Sequence, residues 1–212
     1  MKPIRLTYAL LVVLLLTGPV FCQDDPLLRD YRNPPGEFKQ QVVELARQGV
    51  ELYLKQGVHM SPAADVHPLL RRSMGAFVTI TLDGKVRGCM GSLHPVEQDV
   101  AGEIIRSAIM AATVDPWNKP VTPAELPRLK YTVTFAGTLQ RVESEMEINT
   151  GREGIFVRRG SRGALLLPGE ALTSQWALFR CRQKAGIPQD MPVDIFKFQT
   201  ATFSDRYRSY SN

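Results

Sequence analysis

The chain has 212 residues, 44% of them apolar and 22% charged, with 16 glycines and 15 prolines. That balance excludes a disordered or collagen-like polymer and suits one well-buried globular core. The formal net charge of +5 comes without a basic run or interleaved aromatics, so it points weakly to anionic partners and not to nucleic acid.

Residues 1–22 stand apart from the rest. Lys2 and Arg5 precede an apolar stretch from Leu6 to Leu16, a Gly-Pro break follows, and a cut is expected after Cys22. This pattern predicts a signal peptide and an exported protein, periplasmic or extracellular. The apolar stretch is shorter than the ~20 residues of a spanning helix, so a permanent membrane anchor is the weaker reading. A lipid on Cys22 is a further option, although Phe21 is bulky where a lipid-attachment signal takes a small residue. Residues 23–36, with their Pro-rich DYRNPP, read as a linker, 37–205 as the domain and 206–212 as a tail. Cleavage leaves Cys89 and Cys181 in an oxidising compartment, where they pair if geometry permits and otherwise stay apart.

Phe38, Val42, Leu45, Gly49 and Tyr53 recur at helical spacing until Gly57 stops the run. The following stretch, to about Met74, reads as a surface loop. AFVTITLDGKVRGCMG is then two β-rich runs joined by Asp83-Gly84, the dipeptide of a tight hairpin turn. That turn predicts a register in which Leu82 faces Lys85, Ile80 faces Arg87 and Val78 faces Cys89. A bulge at Gly88 would swap the faces beyond it.

A helix is expected from Pro95, with Val96, Val100, Ile104 and Ala108 as its apolar stripe and Glu97 and Asp99 at its positive end. Asp115-Pro116 closes it. Thr122 and Glu125 form a capping-box pattern before Pro127. Tyr131, Val133 and Phe135 alternate with Lys130, Thr132 and Thr134 as a half-buried strand. A second hairpin centres on Gly160-Ser161, a helix with a basic C-terminal half runs to Gly186, and VDIFKFQTATF reads as one last strand. Hairpins interspersed with helices, without a βαβ period, predict an α+β fold of antiparallel sheets with flanking helices.

The stretch KVRGCMGSL raises the main chemical question. Two residues apart on a strand, Arg87 and Cys89 point the same way. A guanidinium there favours the thiolate, while burial opposes it by a comparable amount, so solvent exposure decides between a reactive thiol and a small core residue. Arg87 has an equally plain reading as a structural ion pair with a carboxylate from the next helix or with Asp115. Gly88 and Gly91 either open the backbone to a ligand or allow close packing of the next helix. His94 as a base for Cys89 is the weaker alternative to a turn residue. His59, His67 and His94 lack metal-ligand spacing, and no Cys-x-x-Cys, phosphate loop or serine-hydrolase motif is present. Arg152, Arg158, Arg159 and Arg162 read as a solvated turn rather than a phosphate site.

The order GAFVTITLDGKVRGCMGSL, DPWNKPVTPAELPRL, GREGIFV, LLLPGEA and KAGIP resembles the AMMECR1 family from about Glu37 to Phe203. The resemblance implies two unequal subdomains, the larger built from both chain ends, with the Arg-Gly-Cys strand facing a cleft. It implies a site at Arg87, Gly88, Cys89, Met90 and Gly91, to which Asp115 and Glu153 are added from the neighbouring family segments. Cys89 and Arg87 would be the catalytic pair and the others would bind substrate. No metal or cofactor is expected. The implied reading is a cysteine-centred enzyme or a binder of a small anionic or carbonyl compound. The alternative is a non-catalytic module that recruits a Memo-like or radical-SAM protein. Trp117 and Asn118 replace a usual Arg-Phe, Glu153 stands where histidine is common, and the helix between Trp176 and Lys184 is shorter than in relatives.

Overall fold

A computed structural model describes residues 24–205; the leader and the tail expected at 1–22 and 206–212 lie outside the described residues. Eight strands form two antiparallel four-stranded sheets. The larger subdomain holds β1 (Ala76–Leu82), β2 (Lys85–Gly91), β3 (Leu129–Ala136) and β8 (Thr200–Ser204) in the order β2-β1-β3-β8. Helices α1 (Gly36–Gln56) and α2 (Val100–Thr113) cover one of its faces. The smaller subdomain orders β4 (Gln140–Val142), β5 (Gly154–Arg159), β6 (Arg162–Leu166) and β7 (Asp194–Phe198) as β4-β7-β5-β6, with α3 (Ser174–Ala185) on one face. The α+β class and the two unequal subdomains match expectation, and α1 and β8 show the larger one drawing on both ends of the chain.

Each core follows from alternation. Val78 and Ile80 of β1, Tyr131, Val133 and Phe135 of β3, and Ala201 and Phe203 of β8 all point toward α1 and α2 and are buried. In the small sheet Ile155, Val157 and Leu166 meet Ala177 and Cys181 of α3. A third cluster joins the two subdomains: Phe77 and Ala136 from the large sheet meet Phe198, with Phe156 and Leu165 packed against them. The Phe198 ring lies directly on Gly154, where an added Cβ would fall 2.3 Å from it.

Four expectations need correction. The stretch read as a linker is built into the core from Asp25 onward, because Pro26–Tyr31 forms a 3₁₀ turn whose Leu28 and Tyr31 are buried. Tyr31 also donates to the Leu69 carbonyl at 2.8 Å. Second, α2 begins at Val100 and not at Pro95. Asp99 caps it by accepting the Gly102 N–H at 2.9 Å. The fully buried Glu103 carboxylate accepts the Val96 and Glu97 N–H groups, so Val96 is left exposed instead of joining an apolar stripe. Third, the last strand is two strands in different sheets, with Gln199 between them. Fourth, the first hairpin has the expected turn, with Asp83 at φ 51° and Gly84 at φ 78°, but its register slips between Ile80 and Thr81.

Because Phe198 fills the seam between the subdomains, Phe198→Ala should lower unfolding free energy by about 3–5 kcal/mol. A denaturant titration measures this. An unchanged midpoint would mean that the seam contributes little to stability.

Candidate functional site

The slip is a β-bulge at Arg87. Thr81 pairs with Val86 and Ile80 with Gly88, so Arg87 has no partner across the hairpin. Beyond the bulge every side chain of β2 changes face relative to the expected register: Cys89 sits opposite Thr79, not Val78, and Met90 opposite Val78. Met90 therefore packs, partly buried, against the helical core, on the face opposite Cys89. Gly88 also faces the helices. An added Cβ there would lie 2.0 Å from the Ala111 carbonyl oxygen of α2, and one at Gly91 would lie 2.3 Å from the Ala76 carbonyl oxygen. Both glycines are required by close packing, the plainer of their two readings.

Arg87 is a strap. Its Nε donates to Glu125 Oε1 at 2.7 Å and its Nη2 to Glu125 Oε2 at 3.2 Å and to the Pro120 carbonyl at 2.8 Å, while Nη1 donates to the Lys119 carbonyl. The partner carboxylate is thus Glu125, neither Asp115 nor a residue of α2. Glu125 also accepts the Thr122 N–H at 2.7 Å, so the capping box read from the sequence presents it to the guanidinium. Hydrogen bonding from Arg87 foremost, with help from Thr122, holds the Glu125 carboxyl at about 2. The guanidinium is committed within the protein, which removes it as an anion clamp.

Asp115 holds the other end of this segment. Its Oδ2 accepts the Cys89 N–H at 2.7 Å and the Asn118 amide at 3.2 Å, and its Oδ1 accepts the Trp117 N–H at 2.7 Å. β2 is an edge strand, and this carboxylate satisfies an outward N–H that would otherwise be open to another strand. Together Asp115 and Glu125 bind residues 115–125 along the β2 edge. Glu153 belongs elsewhere: it accepts the Asn149 N–H at 2.9 Å and pairs with Lys197 at 3.3 Å within the small subdomain.

Cys89 is left on the open face of the large sheet, half-buried, with its Sγ 3.2 Å from Thr79 Oγ1. Strand pairing extends this into a row, Cys89, Thr79, Thr132 and Ser204, across all four strands. The adjacent row holds Gly91, Phe77, Thr134 and Thr202, and the last two hydroxyls lie 3.3 Å apart. Phe77 is where the small subdomain rests on this face. Burial pushes the Cys89 thiol up. The Thr79 hydrogen bond opposes that, Glu170 raises it further, Lys184 lowers it and Asp115 raises it. Arg87 is not among these influences, so the sulfur is a neutral thiol at physiological pH. Cys181 is unpaired too, fully buried and pushed up to about 12 by that burial. Among the described residues no group of His, Cys, Asp and Glu is placed to hold a metal ion.

The hydroxyl rows were missed by sequence reading. Their signal was present, since the polar positions alternating with core residues in TITL, YTVTF and TATFS are all threonine or serine. What the sequence lacked was the strand order that sets them side by side. A groove of about 1590 Å³ lies elsewhere, between α1 and β8, with Tyr31, Arg47, Lys130 and Asp205 in its lining and none of residues 87–91.

The AMMECR1 family profile matches residues 43–203. A protein of Thermotoga maritima is 37% identical over 161 residues, covering 74% of this chain and 92% of that one. One from Pyrococcus furiosus is 33% identical over 190 residues, covering 81% and 89%. The crystal structure of an uncharacterized protein from Pyrococcus horikoshii superposes with a TM-score of 0.75 at 30% identity, covering 81% of this chain and 93% of that one.

Gly88→Ala should cost about 3 kcal/mol or more, since its methyl meets backbone that cannot yield, whereas Cys89→Ala should stay within about 1 kcal/mol. Denaturant unfolding of the two variants separates packing from chemistry in this motif. The Glu125 carboxyl is held below its ordinary 4.5, so its contribution to stability is complete above about pH 5 and is lost as pH falls toward 2. The stability gap between wild type and Glu125→Gln should therefore be constant near neutrality and narrow over that acid range. A gap that does not change with pH would contradict the strap.

Proposed function

The chain belongs to the AMMECR1 family, and on that premise we propose that it binds a small, uncharged, carbonyl-bearing molecule in a cleft between the hydroxyl-rich face of the large sheet and the small subdomain. The observation that carries this reading is the Cys89 sulfur, half-exposed and 3.2 Å from Thr79 Oγ1, at the end of a row of hydroxyls. Hydroxyls donate and accept, and a neutral thiol adds a weak donor, so the face suits a carbonyl or hydroxyl group better than a bare charge. Cys89 contributes its thiol, Thr79 and Thr132 orient the ligand, and Glu170 and Lys184 approach from the small subdomain. Arg87, Gly88, Gly91 and Asp115 position the strand. A catalytic thiolate finds no support, because burial disfavours it and the nearest guanidinium is engaged with Glu125. In this reading the leader carries the domain out of the cytoplasm, and N-terminal sequencing of the cell-surface or periplasmic fraction checks that step.

A second reading has one observation in its favour: Trp117 is 74% exposed in the very segment that Asp115 and Glu125 hold down. There the segment would be a recognition loop for a protein of the Memo-like or radical-SAM kind.

Alkylation of Cys89 by iodoacetamide distinguishes the two. The rate should be slower than that of free cysteine at pH 7 and still rising above pH 9, since the thiol is raised from its ordinary 9.0. A panel of small aldehydes, ketones and amides should contain compounds that slow the labelling, and Thr79→Val should remove that protection. If no compound protects Cys89, while Trp117→Ala abolishes capture of a purified partner, the binding reading fails in favour of the second.

A further inference from the structure

The side of the small sheet turned away from α3 carries an aromatic row. β5 pairs Phe156 with Leu165 of β6 and with Phe196 of β7, so the three side chains stand abreast, all half-buried. Ile155, Val157 and Leu166 take the other face, against α3. The Phe156 ring lies across Gly163, where an added Cβ would fall 2.9 Å from it, and its centroid is 5.8 Å from that of Phe196. Arg158 sits over the Phe196 ring, 5.4 Å from its centroid, and shares Asp194 with Arg141. Phe156 and Leu165 pack against the seam between the subdomains, but among the described residues Phe196 joins none of the three core clusters.

We infer that this row is the second wall of the cleft at Cys89 and that the molecule held there is planar, an aromatic or conjugated ring bearing the carbonyl; this rests on the binding reading of that cleft and adds the ligand's shape to it. Three contacts align the walls. At β7, Phe198, which shares the face of Phe196, meets Phe77 and Ala136 on the open face of the large sheet. At β5, Phe156 packs against the same cluster as Phe77 of β1. At β6, Lys184 donates to the Leu165 carbonyl at 3.1 Å and Glu170 accepts the Leu167 N–H at 2.7 Å, and both of these charges act on Cys89 of β2. The order β6-β5-β7 thus lies across β2-β1-β3, which sets Leu165, Phe156 and Phe196 against Cys89, Thr79 and Thr132. A mostly apolar lining with a few placed polar groups is what small-molecule sites have in common. A ring meets Phe156 edge-to-face, one of the arrangements aromatic pairs prefer, and a carbonyl on its opposite edge then points at the hydroxyls. A saturated ring of the same size gains contact area from that wall but not the aromatic pairing.

Matched probes test the shape on the unaltered full chain: benzamide against cyclohexanecarboxamide, and acetophenone against cyclohexyl methyl ketone, each titrated as a protectant of Cys89 against iodoacetamide. The aromatic member of each pair should reach half-protection at a concentration at least ~threefold lower than its saturated counterpart. Phe156→Leu should erase that preference by weakening the aromatic member alone, and Phe196→Leu should reduce it. Phe179→Leu, which alters an exposed aromatic on α3 outside the cleft, should leave it unchanged, and circular dichroism checks that all three variants are folded. Equal protection within both pairs, or a preference that survives both Phe156→Leu and Phe196→Leu, would overturn the planar ligand and leave the binding reading standing. So would protection by acetamide with none from the four ring compounds. No protection by any of the five would overturn the binding reading as well.

Discussion

One extra residue in β2 sets most of what is distinctive in this molecule. The bulge at Arg87 lets a single strand serve three directions at once: Arg87 leaves the sheet for Glu125, Gly88 closes on the Ala111 carbonyl of α2, and Cys89 emerges on the open face beside Thr79. With a regular register, Cys89 would face Val78 and be sealed against the helices. The sulfur's half-exposed position is thus a consequence of hairpin geometry, and hairpin geometry is in turn held by the segment it anchors. Asp115 takes the Cys89 N–H while Glu125 takes the guanidinium, so the 115–125 segment and the β2 edge order each other.

The second constraint is the exchange of the chain between sheets. β7 and β8 are separated by Gln199 alone, and this one residue passes the chain from the small sheet to the large. Phe198 and Ala201 thereby lie on either side of the crossing, the first in the seam between subdomains and the second in the large core. Asp25, nearly fully buried, accepts the Leu27 N–H at 2.9 Å and holds Thr138 N–H and Oγ1, while its own N–H donates to Gln199 at 3.2 Å. The entry of the chain, the start of the link to β4 and the sheet crossing are therefore tied at one point. This arrangement fixes how the small subdomain rests on Phe77, and so how Glu170 and Lys184 approach Cys89.

Local chemistry was legible in the sequence wherever it determined structure by itself. Asp83-Gly84 specified its turn, Gly57 and Gly186 ended their helices with φ of 70° and 64°, and Thr122 and Glu125 made their capping box. Features that depend on distant partners were not legible. The pattern HPVEQD looks like a helix start until a buried Glu103 claims the Val96 and Glu97 N–H groups. DIFKFQTATF breaks its alternation at Gln199-Thr200, where two polar residues follow each other and the apolar positions change parity, but one skipped beat reads as readily as an irregularity within a single strand as a change of sheet. Arg87 and Cys89 could be recognised as important from the family resemblance. Their separation into a strap and a half-buried thiol on the open sheet face required knowing that Ile80 pairs with Gly88.

The same geometry constrains the charge of whatever occupies the open face. An anion seeking Arg87 would have to displace a bidentate carboxylate and two carbonyls from a guanidinium whose side chain is only 18% exposed. Leaving Glu125 and those carbonyls unpaired would cost on the order of 2–4 kcal/mol before any new contact formed. It would also free the 115–125 segment that protects the β2 edge. An anion lying over Cys89 instead would meet the fields of Glu170 and of Asp115 at the β2 edge, which Lys184 opposes. Threonine and serine hydroxyls impose no such charge requirement, since each turns to donate or accept as the ligand demands. On the binding reading, a neutral polar molecule would gain contacts on this face without dismantling the strap, and selectivity would come from the spacing of the rows, which the β1, β3 and β8 register sets.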